Sequence, residues 1–213
     1  MAGRRRGRTG RGWDAAPPRA PRASRARDTA PAPDPEPPPD PVERAREICL
    51  RQLAVRPRTR AELATALRRG GVDDRVAAEV LDRYHEVGMI DDAAFARAWV
   101  TSRHQSRGLA RRVLGSELRQ RGVAAETVGE ALDELDTDTE AETARALVER
   151  RLRTATGTPE AIVRRLVGML ARKGYPAGLA YRVVKEALAD DDRTAELADQ
   201  LDPDALADTT GPE

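Results

Sequence analysis

Residues 114–123 read LGSELRQRGV, and the same arrangement stands at 63–72 (LATALRRGGV) and at 166–175 (LVGMLARKGY). In each, a Leu is followed four residues later by a second Leu, then by Gly and an apolar residue. Leu63/Leu67/Gly71/Val72, Leu114/Leu118/Gly122/Val123 and Leu166/Leu170/Gly174/Tyr175 are therefore three copies of one pattern, their glycines 51 and 52 residues apart. Four-residue spacing puts both leucines on one helical face. A glycine just beyond them takes the left-handed conformation that ends a helix, and the next apolar residue folds back on the second Leu. A helix stop repeated on a fixed period marks tandem units that bury a core by stacking.

The alignment extends outward from the stops. Counting back 22 residues from each glycine gives Cys49, Val100 and Leu152, and counting forward ten gives Leu81, Leu132 and Val184. Apolar residues at helical spacing fill the rest. The first unit has Ala45, Ile48, Cys49 and Leu53, then a helix after Thr59 with a capping box to Glu62, then Val76, Val80, Leu81 and Tyr84. The second has Phe95, Ala96, Trp99 and Val100, then Val113, Leu114 and Leu118, then Val128, Ala131 and Leu132. The third has Leu147, Val148 and Leu152, then a helix opened by the cap pair Thr158-Pro159, then Leu179, Val183, Val184 and Leu188. The expectation is an all-α chain of three tandem three-helix repeats over 42–88, 89–137 and 138–190.

Aromatics are 3% of the chain and charged residues 34%, so the core is Leu, Val and Ala, which suits helices and lacks strand-forming runs. The net charge of +1 conceals segregation. Met1 to Arg27 carries nine Arg and one acid; Asp190 to Glu213 carries nine acids and one Arg. Residues 1–41 hold ten of the fifteen prolines and are expected to be a disordered basic tail, with 191–213 an acidic, disordered one or a weak helix over 195–201. One cysteine, Cys49, excludes an intrachain disulfide and fits a reducing, cytoplasmic setting. No apolar run is long enough for a membrane span, and the basic head lacks a signal peptide's apolar segment.

Little in the sequence suggests catalysis. His85 and His104 lie in different units, no cluster has metal-ligand spacing, and Gly70-Gly71 ends a helix where a phosphate loop would open one. Asp91-Asp92 sits where a helix begins and reads as a cap. The expectation is a binding protein with no enzymatic activity, cofactor or metal. Its most distinctive surface lies between Arg97 and Arg121, where Arg97, Arg103, Arg107, Arg111, Arg112, Arg119 and Arg121 face one acid, Glu117. Such guanidiniums suit phosphates or carboxylates. Phe95 and Trp99 hold repeat-equivalent core positions and are assigned to packing.

Gly88-Met89-Ile90-Asp91-Asp92, then Phe95-Ala96, Trp99-Val100, Arg103, Gly108, Arg112, Leu114, Glu117-Leu118 and Arg121-Gly122-Val123 resemble the central motif of the RecX family, regulators of the RecA recombinase. The resemblance spans roughly 42–190, including Arg172-Lys173-Gly174-Tyr175. Two positions depart from the family pattern. Trp99 stands where Tyr is usual, and Gly108-Leu109-Ala110-Arg111 replaces Gly-x-Gly-Pro, leaving the following helix start less sharply fixed. The resemblance implies an elongated, curved array lying in the groove of the RecA–DNA filament. There it would restrain filament growth and suppress strand exchange, ATP turnover and LexA self-cleavage in the SOS response. The seven arginines are then the filament-binding candidates. RecA and single-stranded DNA are the expected partners, with duplex DNA a further candidate, and the protein is expected to be a monomer. The alternatives are an autonomous DNA-binding helical-repeat protein and a helical adaptor for another protein.

Overall fold

The computed structural model describes residues 40–190. Among them are nine helices and no strand: α1 (Pro41–Val55), α2 (Arg60–Arg69), α3 (Asp74–Glu86), α4 (Asp92–Arg107), α5 (Arg111–Gln120), α6 (Ala125–Asp133), α7 (Thr137–Leu152), α8 (Pro159–Lys173) and α9 (Ala177–Ala189). The expectations for the basic head and acidic tail lie outside these residues. No helix among them is long and apolar enough to cross a membrane.

Every extensive helix–helix contact falls within a triplet, α1–α3, α4–α6 or α7–α9, so the three-unit, all-α reading holds. Each triplet encloses its own apolar cluster. The first is built on Ala45, Cys49, Leu63, Leu67 and Leu81, the second on Ala96, Val100, Leu114 and Leu118, the third on Val148, Leu166, Leu170 and Val184. Leu63, Leu67, Leu114, Leu118 and Leu170 are wholly inaccessible, each contributing roughly 1.5–3 kcal/mol of burial.

The three stops form as the sequence implies. Gly71, Gly122 and Gly174 have φ of 72°, 76° and 95°. After each, the next N–H returns to the second Leu: Val72 to Leu67 O at 3.1 Å, Val123 to Leu118 O at 3.2 Å, Tyr175 to Leu170 O at 3.1 Å. This is the Schellman bond that satisfies a free carbonyl at the helix end.

Helix starts depart from expectation in informative ways. Thr59 Oγ1 accepts the Glu62 N–H at 3.2 Å, but the other half of the capping box is replaced, because the Glu62 carboxylate turns to Arg56 and Arg121. Thr158 makes no side-chain cap, so α8 opens on the conformational preset of Pro159. Asp91 caps its own helix through the Ala94 N–H at 2.8 Å. Asp92 instead accepts the Arg60 N–H, at 2.9 Å, at the start of α2 in the preceding unit. One unit on, Glu140 of α7 accepts the Arg111 N–H at 2.9 Å. The start of α5 is thus well fixed without a proline, and arginine supplies an N–H that proline lacks.

These caps belong to two equivalent joints. Between the first two units, Thr59 Oγ1 donates to Arg121 O at 2.7 Å, and the bare Cα of Gly122 lies against Ala61, whose Cβ is 2.3 Å from where a Gly122 Cβ would stand. Between the second and third, Ala110 N–H donates to Lys173 O at 2.9 Å, Tyr175 Oη donates to Gly108 O at 3.1 Å, and Gly174 sits against Val113. Ion pairs Arg60–Asp82 and Arg111–Asp133 repeat as well, each partner shifted by 51 residues. His104, buried, is consumed here too: Nδ1 lies 2.9 Å from Leu109 O and Nε2 lies 2.8 Å from Thr143 Oγ1.

Candidate functional site

Helix α4 organises the basic face through three residues at four-residue spacing, Phe95, Trp99 and Arg103. The rings of Phe95 and Trp99 stack with centroids 5.7 Å apart, and the Arg103 guanidinium lies 4.1 Å from the Trp99 ring centre. A second guanidinium, Arg121 from the end of α5, lies 3.9 Å from the same ring. The indole N–H donates to Glu117 Oε2 at 2.8 Å, which accounts for the one acid in this arginine-rich stretch. Both aromatics pack against the second core but are only partly buried. Assigning Trp99 to packing alone therefore misses its second role, as a platform that holds two cations.

Arg121 also donates to Glu62 Oε1 at 2.5 Å, carrying the network into the first unit. There Glu62 accepts two further hydrogen bonds from Arg56, at 3.1 Å each. Burial raises the Glu62 pKa, but the Arg56 hydrogen bonds and the charges of Arg56, Arg121 and Arg58 outweigh it, so the net shift is downward. Arg58 Nε is buried and has no hydrogen-bond partner among the described residues. A cleft of about 570 Å³ opens beside this network, with Leu53, Met89, Phe95 and Trp99 on its walls and Arg56, Arg58 and Arg103 around them.

The remaining arginines of the stretch have different surroundings. Arg111 pairs with Asp133 at 2.8 Å, and Arg97 with Glu134 at 3.9 Å. Arg112 donates to Ala171 O of the third unit at 3.3 Å. Arg103, Arg107, Arg112 and Arg119 have no carboxylate within 4.0 Å among the described residues. The stretch is thus less uniformly free than its local composition suggests, because folding brings in Glu62, Asp133 and Glu134 from other segments. It is also wider. Arg56 and Arg58 join it from the first unit, and Arg164 and Arg172 from the third share a cleft of about 710 Å³ with Arg111 and Arg112. Sequence reasoning confined to one run of residues missed these four. The signal that could have found them is the repeat itself, which places the α1–α2 connection of the first unit and helix α8 of the third beside the second unit.

Chemically, this surface offers cations, an aromatic platform and apolar clefts. No group of three His, Cys, Asp or Glu side chains suited to a metal occurs among the described residues. The buried Glu140 is occupied in capping Arg111, and His104 bridges two units.

Comparison with known proteins reaches every unit. The family models described as RecX first, second and third three-helix domain match residues 45–83, 91–132 and 138–184. A protein named regulatory protein RecX from Thermobifida fusca (strain YX) is 61% identical over 146 residues, covering 68% of this chain and 79% of that protein. Another of the same name, from Streptomyces coelicolor, is 54% identical over 162 residues, covering 75% of this chain and 86% of the other. The crystal structure of RecX from Lactobacillus salivarius superposes with a TM-score of 0.64 at 18% identity, over 70% of this chain and 97% of that one, a likeness of fold.

Proposed function

This chain belongs to the RecX family of regulatory proteins, and from that premise we propose that it binds the RecA–DNA filament and restrains RecA. The carrying observation is that the family match through 91–132 coincides with the Trp99-centred basic face. The three units, taken as 42–88, 89–137 and 138–190, present guanidiniums from separate segments: Arg56 and Arg58, Arg103 and Arg112, Arg164 and Arg172. Contacts distributed in this way suit a polymeric target, where several modest charge pairings act together.

In this reading the protein works as a cytoplasmic monomer, without covalent chemistry. It engages acidic RecA side chains and DNA phosphates and opposes filament growth, strand exchange and LexA cleavage. The test is ATP hydrolysis by RecA on single-stranded DNA. Adding the protein is expected to slow hydrolysis in proportion to its occupancy; an unchanged rate at saturation overturns the proposal.

A further inference from the structure

The acidic tail and the cleft at the second joint match each other in charge, apolar character and reach. We propose that the cleft between α5 and α8 is a polyanion-binding surface, and that its occupant within the chain is the acidic segment 191–213.

Arg111, Arg112, Arg164 and Arg172 surround this cleft, with Val167 and Tyr175 among its apolar lining. Its acid, Glu140, is buried and already accepts the Arg111 N–H. Arg164 and Arg172 are exposed and have no carboxylate within 4.0 Å among the described residues. Arg172 reaches across Gly168, its Nη1 lying 3.4 Å from where a Gly168 Cβ would stand. The cleft therefore presents unpaired guanidiniums beside apolar surface.

The sequence after α9 is the complement. From Asp190 to Glu213 it has nine acids and one Arg, and Leu197, Leu201 and Leu206 are interspersed among Asp199, Asp202, Asp204 and Asp208. Its root is close as well. Pro176 and Ala177, at the start of α9, line the cleft, and α9 has 13 residues, so its far end lies about 20 Å away. An extended chain covers that in about six residues, and Leu197 is the seventh after Asp190. A tether this short gives the segment a high effective concentration at the cleft. The cleft around Arg56, Arg58 and Arg103 also has cations, but it lies in the joint with the first unit, one joint further from α9.

The test uses the full chain with Thr209→Cys carrying a nitroxide spin label, read by paramagnetic broadening of backbone amide signals. Cys49 is wholly buried and its pKa is pushed up to about 11 by that burial, so labelling is confined to the new thiol. Amides of residues 164–180 are expected to lose most of their intensity at low salt. They should recover it at 1 M salt, where charge attraction is screened beyond ~3 Å, and in the variant Arg164→Gln with Arg172→Gln. No broadening, or broadening centred on Trp99 and Arg103, overturns the proposal. So does broadening that arises only when spin-labelled chains are mixed with isotope-labelled ones, since the occupant is then a second copy. The measurement contains neither RecA nor DNA, so its outcome is separate from that of the filament reading.

Discussion

Asp92 caps a helix to which it does not belong: its Oδ1 accepts the Arg60 N–H at 2.9 Å across the first joint, while Asp91 beside it caps their own helix. Removing either carboxylate should cost about 0.5–2 kcal/mol, the usual range for a lost cap. The two losses should differ in place. Asp92→Ala is expected to speed hydrogen exchange at Arg60 and its neighbours in α2, leaving the start of α4 protected, and Asp91→Ala to do the reverse. Asp92→Asn keeps an acceptor oxygen and should preserve most of the protection. Equal exchange at Arg60 in wild type and Asp92→Ala would show that the bond carries no stability.

Gly71 and Gly122 occupy equivalent stops with nearly equal φ, 72° and 76°, but their surroundings differ. A Cβ on Gly71 meets nothing within 4 Å among the described residues, whereas one on Gly122 stands 2.3 Å from Ala61 Cβ. Gly71→Ala should therefore cost only the left-handed backbone penalty, about 1–2 kcal/mol. For a chain of this size that is a fall in Tm of roughly 2–4 °C per kcal/mol. Gly122→Ala bears the same penalty and must also push the first two units apart, so its Tm should fall further. Equal drops in the two variants would remove Gly122 from the joint.

Local order in this fold was legible because helix periodicity and repeat periodicity coincide. Leu114, Leu118 and Gly122 specify a buried face and a stop within nine residues, with no need of distant information. The joints were not legible, since Asp92 beside Asp91 reads as a second local cap until Arg60 is seen beside it. The basic face was half legible for the same reason. Its arginines show in one run of sequence, but the carboxylates that neutralise Arg97, Arg111 and Arg121 come from segments 20 to 60 residues away. Trp99 reads as core because it occupies a core position; Arg103 meets its ring from the next turn of α4, but Arg121 reaches it only after α4 and α5 pack together.

Glu62 sets a pH dependence with a definite sign. Its folded pKa lies below the ordinary glutamate value of about 4.3, because Arg56, Arg121 and Arg58 favour the ionised form. The stabilisation is complete above the unfolded-state pKa and is lost as pH falls through the folded one. Glu62→Gln should consequently be less stable than wild type at neutral pH, and the difference should narrow on acidification below about pH 4.3. Urea unfolding of both proteins across that range measures it. A gap that stays constant or widens toward low pH contradicts the ionised network.

Arg103 and Arg112 divide the candidate face from its scaffold. Neither has a carboxylate within 4.0 Å among the described residues: Arg103 rests on Trp99, and Arg112 donates to the Ala171 carbonyl. Arg103→Ala with Arg112→Ala is therefore expected to leave the helical circular dichroism signal intact and lower Tm only slightly. It should also raise the concentration needed to slow RecA ATP hydrolysis about tenfold or more, given 1.5–3 kcal/mol for a charge-assisted hydrogen bond. Leu118→Ala, at a wholly buried core position, is the converse. It should cost about 2–5 kcal/mol of stability, yet inhibit normally at temperatures where it remains folded. Full inhibition by the double arginine variant would place RecA contact elsewhere on the chain, and an unshifted Tm for Leu118→Ala would contradict the packing of the second core.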